Sequence, residues 1–179
     1  MIRHSENKLN LDQLQRVADA VKGESDRGLV LICSTVLDEI LKRSIESHLV
    51  RHKVVEKLTE SFNAPIGSFH ARILLSFAIG LIPEDEYRQL DLIRKIRNEF
   101  AHSVDAKFQL PRIISYCQLL SQSPMFAAIE NAAPREAFAM CAAFLIVVLE
   151  SRLPEASNQR LFYQEWKAES SGSGRMSRP

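Results

Sequence analysis

The residues with the clearest chemical potential are three polar side chains in one short run, Arg97, Asn98 and His102. Arginine is a permanent cation whose guanidinium can hold a phosphate through two hydrogen bonds. Histidine titrates near neutral pH and can move a proton, and asparagine can orient a neighbouring group. Together they could cleave RNA without a metal ion. His102 would activate a 2′-hydroxyl or protonate the leaving oxygen, while Arg97 steadies the phosphate.

Helix geometry places a condition on that chemistry. Asn98 and His102 are four residues apart and share a helix face. Arg97 and His102 are five residues apart and point roughly 140° away from each other. A joint site therefore requires the helix to end near Ala101, or a second subunit to bring another copy of the run alongside.

The same run also has a purely structural interpretation. The predicted helix begins with the acidic residues Glu84-Asp85-Glu86 and ends with the basic run Arg94-Lys95-Ile96-Arg97. Acids first and bases last complement the helix macrodipole. Together with His102, these basic residues would simply stabilise the exposed carbonyls of the helix C-terminus.

Other groups of polar residues give weaker indications of a functional site. Asp38, Glu39, Glu46 and His48 lie on one long predicted helix, but they lack a second carboxylate–histidine set, so no metal site is predicted. The sequence has no glycine-rich phosphate loop, and no cofactor is predicted. One basic cluster could form a modest patch for an anionic partner, although such clusters are usually a solvated face; it comprises Lys42, Arg43, Arg51, His52, Lys53 and Lys57.

The predicted helices before and after Gly80 resemble a helix-turn-helix only superficially. In that motif the first residues of the second helix face DNA. Here those residues are Glu84, Asp85 and Glu86, whose carboxylates would be repelled by the phosphates. Direct reading of DNA is therefore not predicted.

The composition is that of an ordinary globular protein. Of the 179 residues, 46% are hydrophobic and 25% are charged, which is enough to bury a sizeable core in one domain. Only 6 Gly and 7 Pro are present, which favours long helices. The net charge of +1 provides no general attraction to nucleic acid.

Three further features predict a cytoplasmic protein that does not enter the membrane. Cys33, Cys117 and Cys141 are odd in number and widely separated within apolar helical patterns, so we expect buried free thiols in a reducing compartment. The most apolar run, residues 137–149, is shorter than the roughly 20 residues needed to cross a bilayer and is flanked by charges. We expect it to be a core helix. The first seven residues lack the apolar stretch of a secretory signal.

Apolar residues recur every three or four positions along most of the chain, which predicts an all-α fold. We expect a single bundle of about six to eight helices with a disordered C-terminal tail. Ser25 or Asp26 and Ser68 are predicted N-caps, and Gly80 a left-handed C-terminal cap. The predicted helices cover residues 9–21, 29–49, 54–58, 68–79, 83–100, 111–120 and 134–153, and a last amphipathic segment contains Trp166.

Several short motifs follow one another in the chain: Glu24-Ser25-Asp26-Arg27, Leu37-Asp38-Glu39, Gly67-Ser68-Phe69, Ala71-Arg72-Ile73, Ala78-Ile79-Gly80-Leu81-Ile82 and Leu90-Asp91-Leu92-Ile93-Arg94-Lys95-Ile96-Arg97-Asn98. In this order they resemble the mannitol operon repressor (MltR-like) family over residues 24–120. The resemblance implies an all-α bundle and a bacterial regulator of transcription. Family members lack a recognisable DNA-binding motif and are thought to act through other proteins.

The run Arg97-Asn98-x-x-x-His102 also resembles the signature of HEPN domains. These domains are all-α, usually dimeric, and often metal-independent ribonucleases or toxin-like RNA binders. This second resemblance implies Arg97 and His102 as a catalytic pair and Asn98 as the supporting polar residue. The two resemblances are compatible, because a regulator could keep a HEPN-like frame with or without cleavage.

We therefore expect one helical domain over residues 1–168, in which 24–120 match the MltR-like family and 124–168 form an unmatched helical extension, followed by a disordered tail over 169–179. The predicted function is a non-enzymatic bacterial regulator that works through protein partners, as a homodimer. The alternative is a HEPN-type endoribonuclease or RNA-binding, toxin-like protein that uses Arg97 and His102.

Overall fold

The computed structural model describes residues 15–16, 19–61, 63–122 and 132–163. These residues contain no strand, and seven α-helices lie wholly within them. The helices are α1 (Asp26–His48), α2 (Val54–Thr59), α3 (Phe69–Ala78), α4 (Glu84–His102), α5 (Pro111–Ser121), α6 (Pro134–Ser151) and α7 (Leu153–Asn158). The prediction of an all-α bundle is confirmed. The predicted tail at 169–179, the Trp166 segment and most of the predicted helix at 9–21 lie outside the described residues.

Local sequence signals explain where several helices begin and end. The Ser25 hydroxyl accepts a hydrogen bond from the amide of Gly28 at 3.0 Å, and the Ser68 hydroxyl accepts one from the amide of Ala71 at 3.1 Å. Both are N-caps that satisfy free donors of a first turn. Gly80 follows α3 with a φ of 78°, a left-handed conformation that side chains disfavour. Pro111 and Pro134 occupy the first turns of α5 and α6.

The core forms around α1, which contacts α3, α4, α6 and α7. On α4 an apolar stripe at helical spacing is fully buried at Leu90, Ile93, Ile96 and Phe100. Three phenylalanines pack in a row with tilted rings near one end of the bundle, with ring centroids 5.2 Å apart for Phe100–Phe108 and 5.7 Å for Phe108–Phe138. One apolar cluster thus includes buried residues from most of the described helices.

The apolar helix α6 belongs to this core. The stretch Pro134–Asn158 is long and apolar enough to cross a membrane by length and composition. In the bundle, however, α6 contacts α1 and α5 and buries Phe138, Cys141, Leu145 and Leu149. Packing against other helices therefore accounts for its apolar face, as predicted.

The three cysteines are free and buried, as predicted. Burial disfavours the charged thiolate. It raises the pKa of Cys33 to about 11 and those of Cys117 and Cys141 to about 12. Thiols of this kind are inert at neutral pH, so the structure gives them a packing role.

Arg27, in the first turn of α1, binds carbonyl groups at the C-terminal end of α4. Its guanidinium donates hydrogen bonds to the carbonyls of Phe100, Ser103 and Val104, the last two at 2.5 and 3.1 Å. The structural interpretation of the basic run assigned the stabilisation of this helix end to Arg94, Lys95, Arg97 and His102. Direct hydrogen bonds to these carbonyls come from Arg27, while His102 lies in the last turn of α4.

Asp26 joins a third helix to the same corner. Its carboxylate accepts a hydrogen bond from Arg135 in the first turn of α6 at 2.5 Å and a longer one, 3.4 Å, from the amide of Phe108. Arg135 also donates to the Glu24 carbonyl at 2.8 Å. The motif Glu24-Ser25-Asp26-Arg27 therefore holds together the start of α1, the end of α4 and the start of α6.

A second long-range ion pair joins α4 to the end of α6. Glu86 is 1% exposed, and both of its carboxylate oxygens accept hydrogen bonds from Arg152, at 2.6 and 2.7 Å. Such two-point pairing compensates a carboxylate that is removed from water. Glu86 belongs to the acidic first turn of α4, as predicted, and its side chain faces inward.

We expect Arg27→Ala to lower the free energy of unfolding by about 2 kcal/mol, because hydrogen bonds from a cation to helix-end carbonyls are lost. Urea denaturation monitored by circular dichroism measures this change. The matched control is Arg88→Ala, which removes an exposed arginine paired with Glu84 and should change stability by less than about 0.5 kcal/mol. Equal effects of the two substitutions would contradict the capping role.

Candidate functional site

The run from Arg97 to His102 lies entirely within one continuous helix. Helix α4 ends at His102, and the amide of Ser103 still donates to the carbonyl of Glu99 at 3.1 Å. The helix therefore does not end before His102, and the five-residue separation keeps Arg97 and His102 on different sides of it. Within one chain the structure does not bring these two side chains together.

Arg97 and Asn98 do lie together. The Arg97 side chain is exposed, and its Nη1 donates to Oδ1 of Asn98 at 3.2 Å. Among the described residues Arg97 forms no ion pair, in contrast to its neighbours on α4. The guanidinium thus keeps most of its donors available.

A surface cleft of about 340 Å³ opens beside this arginine, between α1, the start of α3 and α4. We call it the α1–α3–α4 cleft. Its polar and charged lining comes from Asp38, Ser68, His70, Arg94, Arg97 and Asn98, with Gly67 and Phe69 completing the wall. His102 is exposed and is not part of this lining.

The carboxylate that lines the cleft, Asp38, forms an ion pair with a buried arginine. Asp38 accepts a hydrogen bond from Nη1 of Arg72 at 2.8 Å. Arg72 is itself buried and also donates to the carbonyls of Ile66 and Thr59, at 3.1 and 3.2 Å. Burial raises the pKa of Asp38, and the Arg72 guanidinium opposes that shift without cancelling it.

The second arginine of the cleft, Arg94, forms an ion pair with Asp91. Its Nε and Nη2 donate to Oδ1 of Asp91 at 2.9 and 2.7 Å, and Lys95 contacts the other oxygen at 2.9 Å. Burial raises the pKa of Asp91, but the hydrogen bonds from Lys95 and Arg94 outweigh it and lower the pKa overall. Of the two arginines that line the cleft in the described part of the chain, Arg97 is the one without an ion pair.

Sequence reasoning found Arg97 and Asn98 but missed His70. The Ser68 N-cap does place His70 in the first turn of α3, and that much could be read from the sequence. Its position beside Arg97 depends on how α3 packs on α4, which no local pattern encodes. His70 is exposed, like Arg97.

Other predicted candidates are occupied by structural contacts. The hydroxyl of Thr59 donates to Glu46 at 2.6 Å, and the described residues contain no group of three or more potential metal ligands. In the basic cluster, Lys42 pairs with Glu60 at 2.5 Å and Arg43 with Glu150 at 2.5 Å. These pairs neutralise part of the patch that the sequence suggested.

One solved structure is similar to this chain in fold. It is a chain in the X-ray structure of the MtlR–HPr complex from Escherichia coli, with a TM-score of 0.59. The match covers 76% of this chain and 98% of that chain, at 19% sequence identity. The likeness is one of fold. No family model matches the chain, and no curated protein sequence matches it.

This likeness agrees with the MltR-like fold that the motifs implied, and the structure explains several of those motifs physically. Asp38 of the second motif pairs with Arg72 of the fourth, and Asp91 of the last motif pairs within its own helix. Arg27 of the first motif caps α4. The motif residues thus carry the contacts that define the bundle.

We expect Arg72→Leu to lower the free energy of unfolding by about 3 kcal/mol, because it removes three hydrogen bonds and leaves the Asp38 carboxylate without its cation. Adding Asp38→Asn should recover part of the loss, since a neutral amide needs no counter-charge. Urea denaturation of both single variants and the double variant gives a coupling energy, expected to be about 1 kcal/mol or more. Strict additivity would show that the pair is not coupled. Arg112→Leu, at an exposed ion pair with Glu99, serves as the control.

Proposed function

We propose that this chain is an MltR-like regulatory protein that acts by binding a protein partner and not by reading DNA directly. The observation that carries the proposal is the fold, which is similar, over 76% of this chain and 98% of the other, to a chain solved in a complex of MtlR with HPr. A fold can host several functions, so the partner has to be tested on this chain. HPr is the first protein to test.

The electrostatics of the described surface support a protein partner over DNA. The net charge of +1 gives no long-range attraction to a polyanion. At the turn that resembles a helix-turn-helix, Glu84 and Asp85 are exposed at the start of α4. Carboxylates at that position would oppose the phosphates of a DNA groove.

Exposed aromatic and aliphatic side chains provide places where a protein could bind, because such residues are enriched at interface centres. Leu74 and Phe77 lie on the outer side of α3, and Phe77 stacks on Tyr87 with ring centroids 4.8 Å apart. A second exposed pair, Phe162 and Tyr163, follows α7 and is 81% and 70% exposed. Each pair offers apolar area that a partner could cover.

The proposed regulator is cytoplasmic and works as a homodimer. The three buried thiols support a reducing compartment, since none of them is paired in a disulfide. The exposed apolar pairs described above support association with another chain. Light scattering of the purified full-length chain gives its mass in solution and so tests the dimer directly.

We expect HPr to bind the full-length chain with a Kd in the micromolar range, on the order of 1–100 µM, measured by isothermal titration calorimetry. Both Escherichia coli HPr and the HPr of the chain's own organism are titrated. One of two double variants, Leu74→Ser/Phe77→Ser or Phe162→Ser/Tyr163→Ser, should weaken binding at least roughly tenfold, because loss of a buried aromatic anchor costs about 2 kcal/mol.

Each double variant is the control for the other, and Arg112→Ala tests an exposed charge in α5. Thermal denaturation confirms that every variant remains folded. Absence of a binding signal for both HPr proteins at 100 µM, on the order of the weakest affinity expected, would remove HPr as the partner. Equal weakening by all variants would indicate a general loss of structure.

The RNA-cleaving alternative requires Arg97 of one chain to meet His102 of another. We expect the wild-type protein to leave RNA intact in buffer with EDTA, as judged on denaturing gels. Cleavage that leaves a 2′,3′-cyclic phosphate would favour the alternative. In that case Arg97→Ala and His102→Ala should each be inactive, and mixed dimers of the two variants should regain activity because one complete pair remains.

A further inference from the structure

The α1–α3–α4 cleft concentrates hydrogen-bond donors that have no acceptor among the described residues. Among the described residues Arg97 forms no ion pair, and its hydrogen bond to Asn98 uses a single nitrogen. Because Oδ1 of Asn98 accepts that bond, the amide NH2 group of Asn98 remains a donor. The His70 side chain has no hydrogen-bond partner in the described part of the chain and is exposed at the α3 side of the cleft.

The other charges around the cleft are balanced. Asp38 is paired with Arg72, and Arg94 shares Asp91 with Lys95. Glu39 also acts on Asp38, and it is exposed on α1. Arg97 also interacts electrostatically with Asp38, without an ion-pair contact. Within the cleft lining itself, the groups left outside these pairs are cationic or hydrogen-bond donors. A cation would therefore find no free carboxylate in the lining, whereas an anion would find three different donors.

We propose that the α1–α3–α4 cleft binds a tetrahedral phosphate group, held by Arg97, Asn98 and His70. The guanidinium fork matches two phosphate oxygens, and the amide and imidazole can each donate to another. The volume of about 340 Å³ is at the low end for ligand pockets, which suits inorganic phosphate or a small phosphate monoester. This site uses His70 and leaves His102 outside, so it is distinct from the RNA-cleavage arrangement.

The proposal goes beyond partner binding and stands independently of it. If the chain binds HPr but no phosphate, the proposed function stands and the phosphate site is excluded. If it binds phosphate but not HPr, the phosphate site stands and HPr is excluded as the partner. The phosphate group also has two natural sources, the free ion and an ester, and these can be told apart with simple probes.

The test is an NMR titration of the full-length, 15N-labelled protein at constant ionic strength. Inorganic phosphate, glycerol 3-phosphate and neutral glycerol are added separately, and the side-chain signals of Arg97 and Asn98 are followed. We expect saturable shifts with a Kd on the order of 1 mM for at least one phosphate probe and none with glycerol. Tighter binding of the ester identifies an ester ligand, and equal binding identifies the phosphate group alone as the recognised element.

Two variants make the result specific. Arg97→Gln should weaken binding roughly tenfold or more, because a charge-assisted pair of hydrogen bonds is lost at an exposed position that the fold does not need. Arg88→Gln, an exposed arginine on the same helix and outside the cleft, should leave Kd unchanged within a factor of about two. Linear, non-saturating shifts up to about 20 mM, well above the expected Kd, would overturn the proposal, as would equal weakening by both variants.

Discussion

The bundle depends on how the carbonyl end of α4 is satisfied. The last carbonyls of any helix have no partner within the helix, and leaving such groups unpaired in a protein interior is costly. Arg27, in the first turn of α1, donates to the Phe100 carbonyl in the last turn of α4 and to the carbonyls of Ser103 and Val104 just after it, and the adjacent Asp26 binds the first turn of α6 through Arg135. Two neighbouring residues therefore fix three helix ends against one another. The positions of the side chains along α4 follow from this arrangement.

The α1–α3–α4 cleft is a consequence of a second tie on the same helix α1. Arg72 crosses from α3 to Asp38 of α1 and to the carbonyls of Ile66 and Thr59, so that the start of α3 is held against α1 and the end of α2. Because the buried charges of this region neutralise each other, the character of the cleft is decided by the few donors that remain outside these pairs. Arg97 and Asn98 are among them, and their neighbour across the cleft is His70 rather than His102.

Local signals in the sequence predicted much of this architecture. The caps at Ser25 and Ser68, the turn at Gly80 and the buried stripe of α4 all depend on residues within one or two turns of each other. The contacts that the sequence could not reveal join distant segments. Arg27 and Ser103, for example, are 76 residues apart, and nothing in helical periodicity specifies that they meet. The same holds for His70, whose place in the cleft results from helix packing. In contrast, helix geometry alone predicted that Arg97 and His102 would point apart if one helix continued through both residues. The structure shows such a continuous helix.

The pair Glu86–Arg152 has a consequence for the modularity of the chain. Residues 24–120 carry the motifs of the MltR-like resemblance, and the segment beyond them could be taken for a removable appendage. Yet Arg152 lies between α6 and α7, and within the described residues it supplies the hydrogen bonds to a carboxylate that is almost completely buried in α4. A chain cut before this residue would keep an uncompensated charge in its interior. The motif-bearing helices and the C-terminal helices therefore share one buried ion pair, and any evolutionary exchange of the C-terminal part would have to preserve a cation at this point.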